Sequence, residues 1–114
     1  MDEILIECLP GISGDMLLGA FYDLGVPQSI FEKPLIQLGL ESFFSLNFKE
    51  EKTCSFRAIK AEVNILKNNT KRQWKDIKNL ILKGKLDKSL EIMIIKVFES
   101  LAISESQVHG INPD

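Results

Sequence analysis

The sequence predicts an α+β fold, a small mixed sheet of about three strands with helices packed on it, in the order β-α-α-β-β-α-α. Three observations carry this. A short run with β-branched residues, Ile4–Cys8, opens the chain. Two segments near residues 44–48 and 59–65 alternate apolar and polar side chains. The remaining long stretches repeat apolar residues at helical spacing and carry helix stop signals.

Each element has its own local warrant. Pro10 and Gly11 end the first strand. Ser13 is placed to cap a helix with its hydroxyl, and Gly25 followed by Pro27 stops that helix after Leu24. Residues 28–38 put Ile30, Phe31, Leu35 and Leu38 on one side. Pro34 leaves two readings open there: one continuous helix, or a turn followed by a helix from about Lys33. Phe44, Leu46 and Phe48 then alternate with polar residues, as do Ile59, Ala61, Val63 and Ile65. The segment Glu50–Thr53 is the expected hairpin turn. Cys54, Phe56 and Ala58 have the opposite parity to Ile59, which predicts a bulge or bend near Ala58. Thr70 and Gln73 match a capping box opening a helix to about Lys83, with Trp74, Ile77 and Ile81 inward and Gly84 as terminator. Asp87 can cap the last helix. Its Leu90, Met93, Ile94, Val97, Phe98, Leu101 and Val108 follow the helical period, as a core stripe or a partner surface.

Size and composition bound the function classes. The chain has 114 residues, is 45% hydrophobic and 26% charged, and carries a formal net charge of −2. That is one domain of ordinary globular composition, spanning 1–114. No basic excess points to nucleic acid, because the lysines between Lys67 and Lys88 are interrupted by Asp76 and Asp87 and read as a solvated helix face. No apolar run approaches the ~20 residues of a membrane span, and Asp2 and Glu3 are unlike a signal peptide. A cytoplasmic location follows as the expectation, with Cys8 and Cys54 as buried reduced thiols.

The stretch Leu9–Gly19, "LPGISGDMLLG", is the chemical candidate. A loop leaving a strand end and entering a helix N-terminus presents free N–H groups, and glycine lets a ligand approach the backbone. No Walker or dinucleotide spacing is present. Asp15 suits the helix dipole but repels a bare phosphate, a conflict that a bridging divalent cation removes. Glu7 adds a second carboxylate near the strand end. A ligand-contacting loop and a plain strand-to-helix turn both satisfy this spacing. The candidate ligand-binding residues are thus Gly11, Ser13, Gly14, Asp15 and Arg72. The candidate metal ligands are Glu7, Asp15 and His109, the single histidine, which equally suits a helix C-terminus. No nucleophile–base constellation can be placed, so no catalytic residue is assigned.

Three segments together resemble one family. "ECLPGISGDMLLGAFYDLGVP" is similar to the N-terminal signature of the LarC-type nickel-insertion proteins, "RQWKDIKNLI" resembles a second segment of that family, and "VFESLAISESQVHGINPD" a third. The resemblance runs from about Ile4 to Pro113. The family motif falls on Glu7, Cys8, Gly11, Ile12, Ser13, Gly14, Asp15 and Met16, then on Arg72, Trp74, Asp76 and Ile77, and last on Glu105, His109 and Gly110. It implies insertion of nickel into a pyridinium dithiocarboxylate mononucleotide, in a CTP-dependent step with magnesium or manganese, to make the nickel-pincer nucleotide cofactor. Asn69, Thr70 and Lys71 stand where the family carries histidines before the arginine. The family also continues past the third segment into a histidine-containing stretch and a C-terminal domain, where nucleotide use is expected. This sequence therefore reads as the N-terminal part of such a protein, with the precursor nucleotide, the downstream domain and a second copy of the chain as expected partners. The rival readings are a non-catalytic oligomerisation or docking module, with the last helix as its surface, and a remnant without autonomous activity.

Overall fold

The computed structural model describes residues 2–67 and 72–110. Its elements run α1 (Gly14–Asp23), α2 (Gln28–Gln37), β1 (Phe44–Thr53), β2 (Phe56–Ile65), α3 (Trp74–Lys83) and α4 (Lys88–His109). The fold is mixed α and β. Its sheet, however, is a two-stranded antiparallel hairpin rather than a three-stranded mixed sheet. The expected first strand is absent: residues 2–8 form no ladder and are exposed, Leu5 at 83%. A strand needs a partner for its N–H and C=O groups, and the hairpin's flanks are occupied at two points. Gly19 of α1 lies against the Ile59 carbonyl, and the Gln28 side-chain amide donates to the Leu46 carbonyl at 2.8 Å.

The hairpin register is unbroken from Phe44↔Ile65 to Thr53↔Phe56. Neither the bulge near Ala58 nor the turn at Glu50–Thr53 is present. Strand β1 runs on to Thr53, and the turn is Cys54-Ser55, with φ of 50° and 70°. Two successive positive φ values give the twist of a primed two-residue hairpin turn, at a strain cost because neither residue is glycine. Cys54 thus belongs to no strand, and Phe56 points to the polar face, 78% exposed, so the parity change needs no bulge. Both cysteines are free thiols, and both are exposed rather than buried.

The other face of the hairpin carries Phe44, Leu46, Phe48, Ala61, Val63 and Ile65, and there α1 and α2 pack. Tyr22 of α1 stacks on Phe48 at 4.0 Å between centroids, and Phe31 of α2 meets the same ring at 5.7 Å. Arg57 forks onto the Asp23 carboxylate at 2.8 and 3.2 Å, tying the end of α1 to β2. Exposed to solvent, such a pair orients the two elements more than it stabilises them. Helix α2 is continuous from Gln28 through Pro34. The missing Pro34 N–H leaves the Ile30 carbonyl unpaired within the helix, tolerable because Ile30 is exposed to water.

Helices α3 and α4 pair with each other, with Trp74 stacked on Phe98 at 6.5 Å. The N-cap of α3 is Gln73, whose N–H donates to the Asp76 carboxylate at 3.4 Å. The capping role expected of Thr70 lies outside the described residues. Ile81 and Leu86 are buried here, and Leu46 and Ala61 under α1 and α2. The α4 stripe is core only in part: Val97 is 69% exposed, and Met93, Leu101 and Val108 are exposed as well.

Candidate functional site

The loop before α1 is built by a turn. Gly11 N–H donates to the Cys8 carbonyl at 2.9 Å, with Gly11 at φ 95°, a conformation that disfavours any side chain. Ser13 then takes the extended conformation of an N-cap, at φ −111° and ψ 167°. Its hydroxyl does not cap the helix as expected. It donates to Asp15 Oδ1 instead. The same oxygen accepts the Met16 N–H at 3.0 Å. The Ser13 hydroxyl bond is the main reason the Asp15 carboxyl is held below its usual range; desolvation opposes it, and the Met16 N–H and the charge of Lys60 reinforce it to a smaller extent. Asp15 is therefore held as an anion at a helix N-terminus, organised by the Ser13 hydroxyl and the Met16 N–H.

Asp15 and Met16 border a cavity of about 330 Å³ against the hairpin, whose other walls include Glu51, Thr53 and Lys60. Lys60 Nζ lies 4.0 Å from Glu51 Oε1. These three hairpin residues share the polar face of the sheet because their positions alternate with Ile59 and Ala61. Sequence reasoning missed them. They stand more than thirty residues from Asp15, and no local pattern announces that α1 will cross β2 there. The crossing depends on Gly19, where a Cβ would overlap the Ile59 carbonyl oxygen. A cavity bordered by two carboxylates, a hydroxyl and an ammonium at a helix N-terminus suits a hard divalent cation carried on a phosphate. Such an ion keeps most of its waters and takes one or two carboxylates plus phosphate oxygens.

The other predicted residues are dispersed. Arg72 lines a different cavity, from which Asp15 is absent. Glu7 lies in the exposed N-terminal segment, and His109 is the last residue of α4. Among the described residues no three His, Cys, Asp or Glu side chains converge to hold a metal ion. Three residues of the second motif have structural work: Trp74 stacks on Phe98, Asp76 closes the start of α3, and Ile77 is half-buried. Gly110 ends α4 in the left-handed region at φ 65°. No helix among the described residues is long and apolar enough to cross a membrane.

Comparison with known proteins gives this geometry a context. A protein from Synechococcus sp. (strain JA-3-3Ab), named for nickel insertion, is 37% identical over 97% of this chain and 28% of its own length. One of the same name from Cyanothece sp. (strain PCC 7425 / ATCC 29141) is 36% identical over 93% of this chain and 27% of its own. The pyridinium-3,5-bisthiocarboxylic acid mononucleotide nickel insertion protein of Nocardioides sp. (strain ATCC BAA-499 / JS614) is 29% identical over the whole chain and 29% of its own length. The chain thus spans a little over a quarter of the length of these relatives. No solved structure matches it significantly. The nickel insertion protein family model matches residues 4–114, almost the entire sequence, and the chain belongs to that family.

Proposed function

We propose that these residues act as the N-terminal domain of a nickel-insertion protein, one that metallates a pyridinium dithiocarboxylate mononucleotide to make the nickel-pincer nucleotide cofactor. Nickel and the mononucleotide are substrates in this reading. The observation that carries it is the ordered Asp15 carboxylate, set by Ser13 and the Met16 N–H beside Lys60, Glu51 and Thr53, inside the segment that matches the family signature. The Gly11–Asp15 loop meets a metal-bound phosphate of the precursor. Lys60 offsets the charge of the two carboxylates as the phosphate enters. CTP with magnesium or manganese belongs to the same proposal, with the nucleotide used outside these residues. Glu7 and His109 are the remaining candidate donors to the incoming nickel, on separate elements. The setting is cytoplasmic.

The test is Asp15→Ala in a full-length nickel-insertion protein containing these residues. Loss of metallation with unchanged circular dichroism is the expected result. Metallation at the wild-type rate would remove Asp15 from the site. A docking role for the domain has its own supporting observation, the exposed Met93, Val97, Leu101 and Val108 stripe of α4. A second copy of the chain or a downstream domain covers it on that reading. Light scattering of the chain alone, against the chain mixed with that domain, separates the two.

A further inference from the structure

A second cavity, of about 320 Å³, differs in chemistry from the one beside Asp15. It lies over the apolar face of the hairpin. Leu18 of α1, Phe31 and Leu35 of α2, Leu46 of β1 and Val63 of β2 form its walls, and Arg72 is the one charged residue among the described lining. Its size sits at the low end of small-ligand pockets, which are mainly apolar with a few polar groups that fix orientation.

The charge at this cavity is not random. The Arg72 guanidinium lies 5.5 Å from the centroid of Phe43, another lining residue. Lys67 Nζ lies 5.1 Å from the same ring and 3.5 Å from the Ser42 hydroxyl. Both cations thus lie beside Phe43, a wall of the apolar chamber. Among the described residues, no carboxylate lies within ion-pair distance of either cation. A purely hydrocarbon occupant would strip water from Arg72 and give nothing back, an unfavourable exchange. An occupant with an anionic group next to its apolar body turns the same desolvation into a charge-assisted bond.

We infer that this cavity is a binding site for a small amphipathic anion: a flat apolar ring held between Phe31, Leu35, Leu46 and Val63, with a carboxylate or similar anionic group on Arg72 and Lys67. The site is separate from the Asp15 cavity and does not depend on the metallation reading, so the two fail independently.

Calorimetric titration of the full 114-residue chain tests it, with 1-naphthoate as probe and the uncharged 1-naphthalenemethanol as its control. Naphthoate binds saturably at one per chain and more tightly than the alcohol. Arg72→Gln, at an exposed position, weakens naphthoate by about tenfold, the worth of one charge-assisted hydrogen bond, and leaves the alcohol unchanged. Lys67→Gln has a smaller effect in the same direction. Leu35→Trp fills the chamber and abolishes binding of both. Absence of saturable naphthoate binding overturns the inference, as does equal affinity for the two probes or insensitivity of naphthoate to Arg72→Gln. Should Leu35→Trp fail to fold, the two surface variants decide the question.

Discussion

Replacing Gly19 by alanine tests whether α1 is held against β2 by backbone contact. In an exposed helix this change stabilises, because alanine exceeds glycine by about 1 kcal/mol in helix propensity. Here the new methyl would overlap the Ile59 carbonyl oxygen and sit 3.3 Å from its carbon and 3.6 Å from the Ala61 nitrogen. Those are strand atoms held by the β1–β2 ladder, so the helix must move. Overpacking of this kind costs about 1–3 kcal/mol. Net of propensity, Gly19→Ala should lose up to about 2 kcal/mol, up to roughly 15 °C in Tm for a domain of this size, where an open helical site would gain about 1 kcal/mol. Gly14→Ala is the internal control. It is the first residue of α1, its φ is not positive, and a Cβ there meets nothing within 4 Å. That variant should be neutral or more stable by a few tenths of a kcal/mol. Both are read by urea and thermal unfolding followed by circular dichroism. Gly19→Ala also shifts α1 off β2, so the Lys60 and Asp15 resonances should move together in its NMR spectrum. A Gly19→Ala chain more stable than wild type by the full propensity gain, or a Gly14→Ala chain equally weakened, would refute the close approach and with it the placement of Asp15 beside Lys60.

Three further outcomes follow from local geometry. Ser13→Ala removes the largest cause of the lowered Asp15 carboxyl, so its apparent pKa rises toward the ordinary ~3.9. Because the folded-state value is depressed, the stability Asp15 contributes is present above the ordinary pKa and fades as pH falls through the folded one. Wild type and variant should therefore differ near neutrality and converge in acid, and a carboxyl-carbon NMR titration that leaves Asp15 in place contradicts the Ser13 bond. Replacing Cys54-Ser55 by Asn-Gly relieves two strained left-handed residues, at φ 50° and 70°. It should raise stability by about 1 kcal/mol in denaturant unfolding, and a loss would mean the turn is not of this type. Ile81→Ala empties a site only 2% exposed between α3 and its neighbours. It should cost about 2–5 kcal/mol, enough to unfold a marginal domain, whereas Val97→Ala on the exposed stripe should change the monomer's melting little.

Much of the local structure could be read from the residues in order. Ser13, the Gly25–Pro27 stop, Gly84 and Asp87 mark helix ends at or within a residue of where they occur, because their backbone preferences are local, although neither Ser13 nor Asp87 makes the side-chain cap bond expected of it. The hairpin was legible from its alternation, but its turn was not, since Cys54-Ser55 carries none of the usual glycine or asparagine signals. The family signature around Gly11–Asp15 was likewise plain in the sequence, and Ser13 and Asp15 do meet. Whether Ile4–Cys8 forms a strand was not a local matter. A strand depends on a partner edge, and α1 and α2 lie on the flanks it would use.

The same reasoning divides the site. The anionic loop at the mouth of α1 is a local matter, because Ser13, Asp15 and Met16 lie close in the chain and their bonds span two positions or fewer. Packing at a distance decided that Glu51, Thr53 and Lys60 border one cavity with Asp15, and that Arg72 instead lines an apolar chamber with Phe43, whose ring Lys67 also approaches. The first of these arises where a helix crosses a strand on a single glycine, and that crossing is set by packing between distant segments rather than by any neighbouring residue.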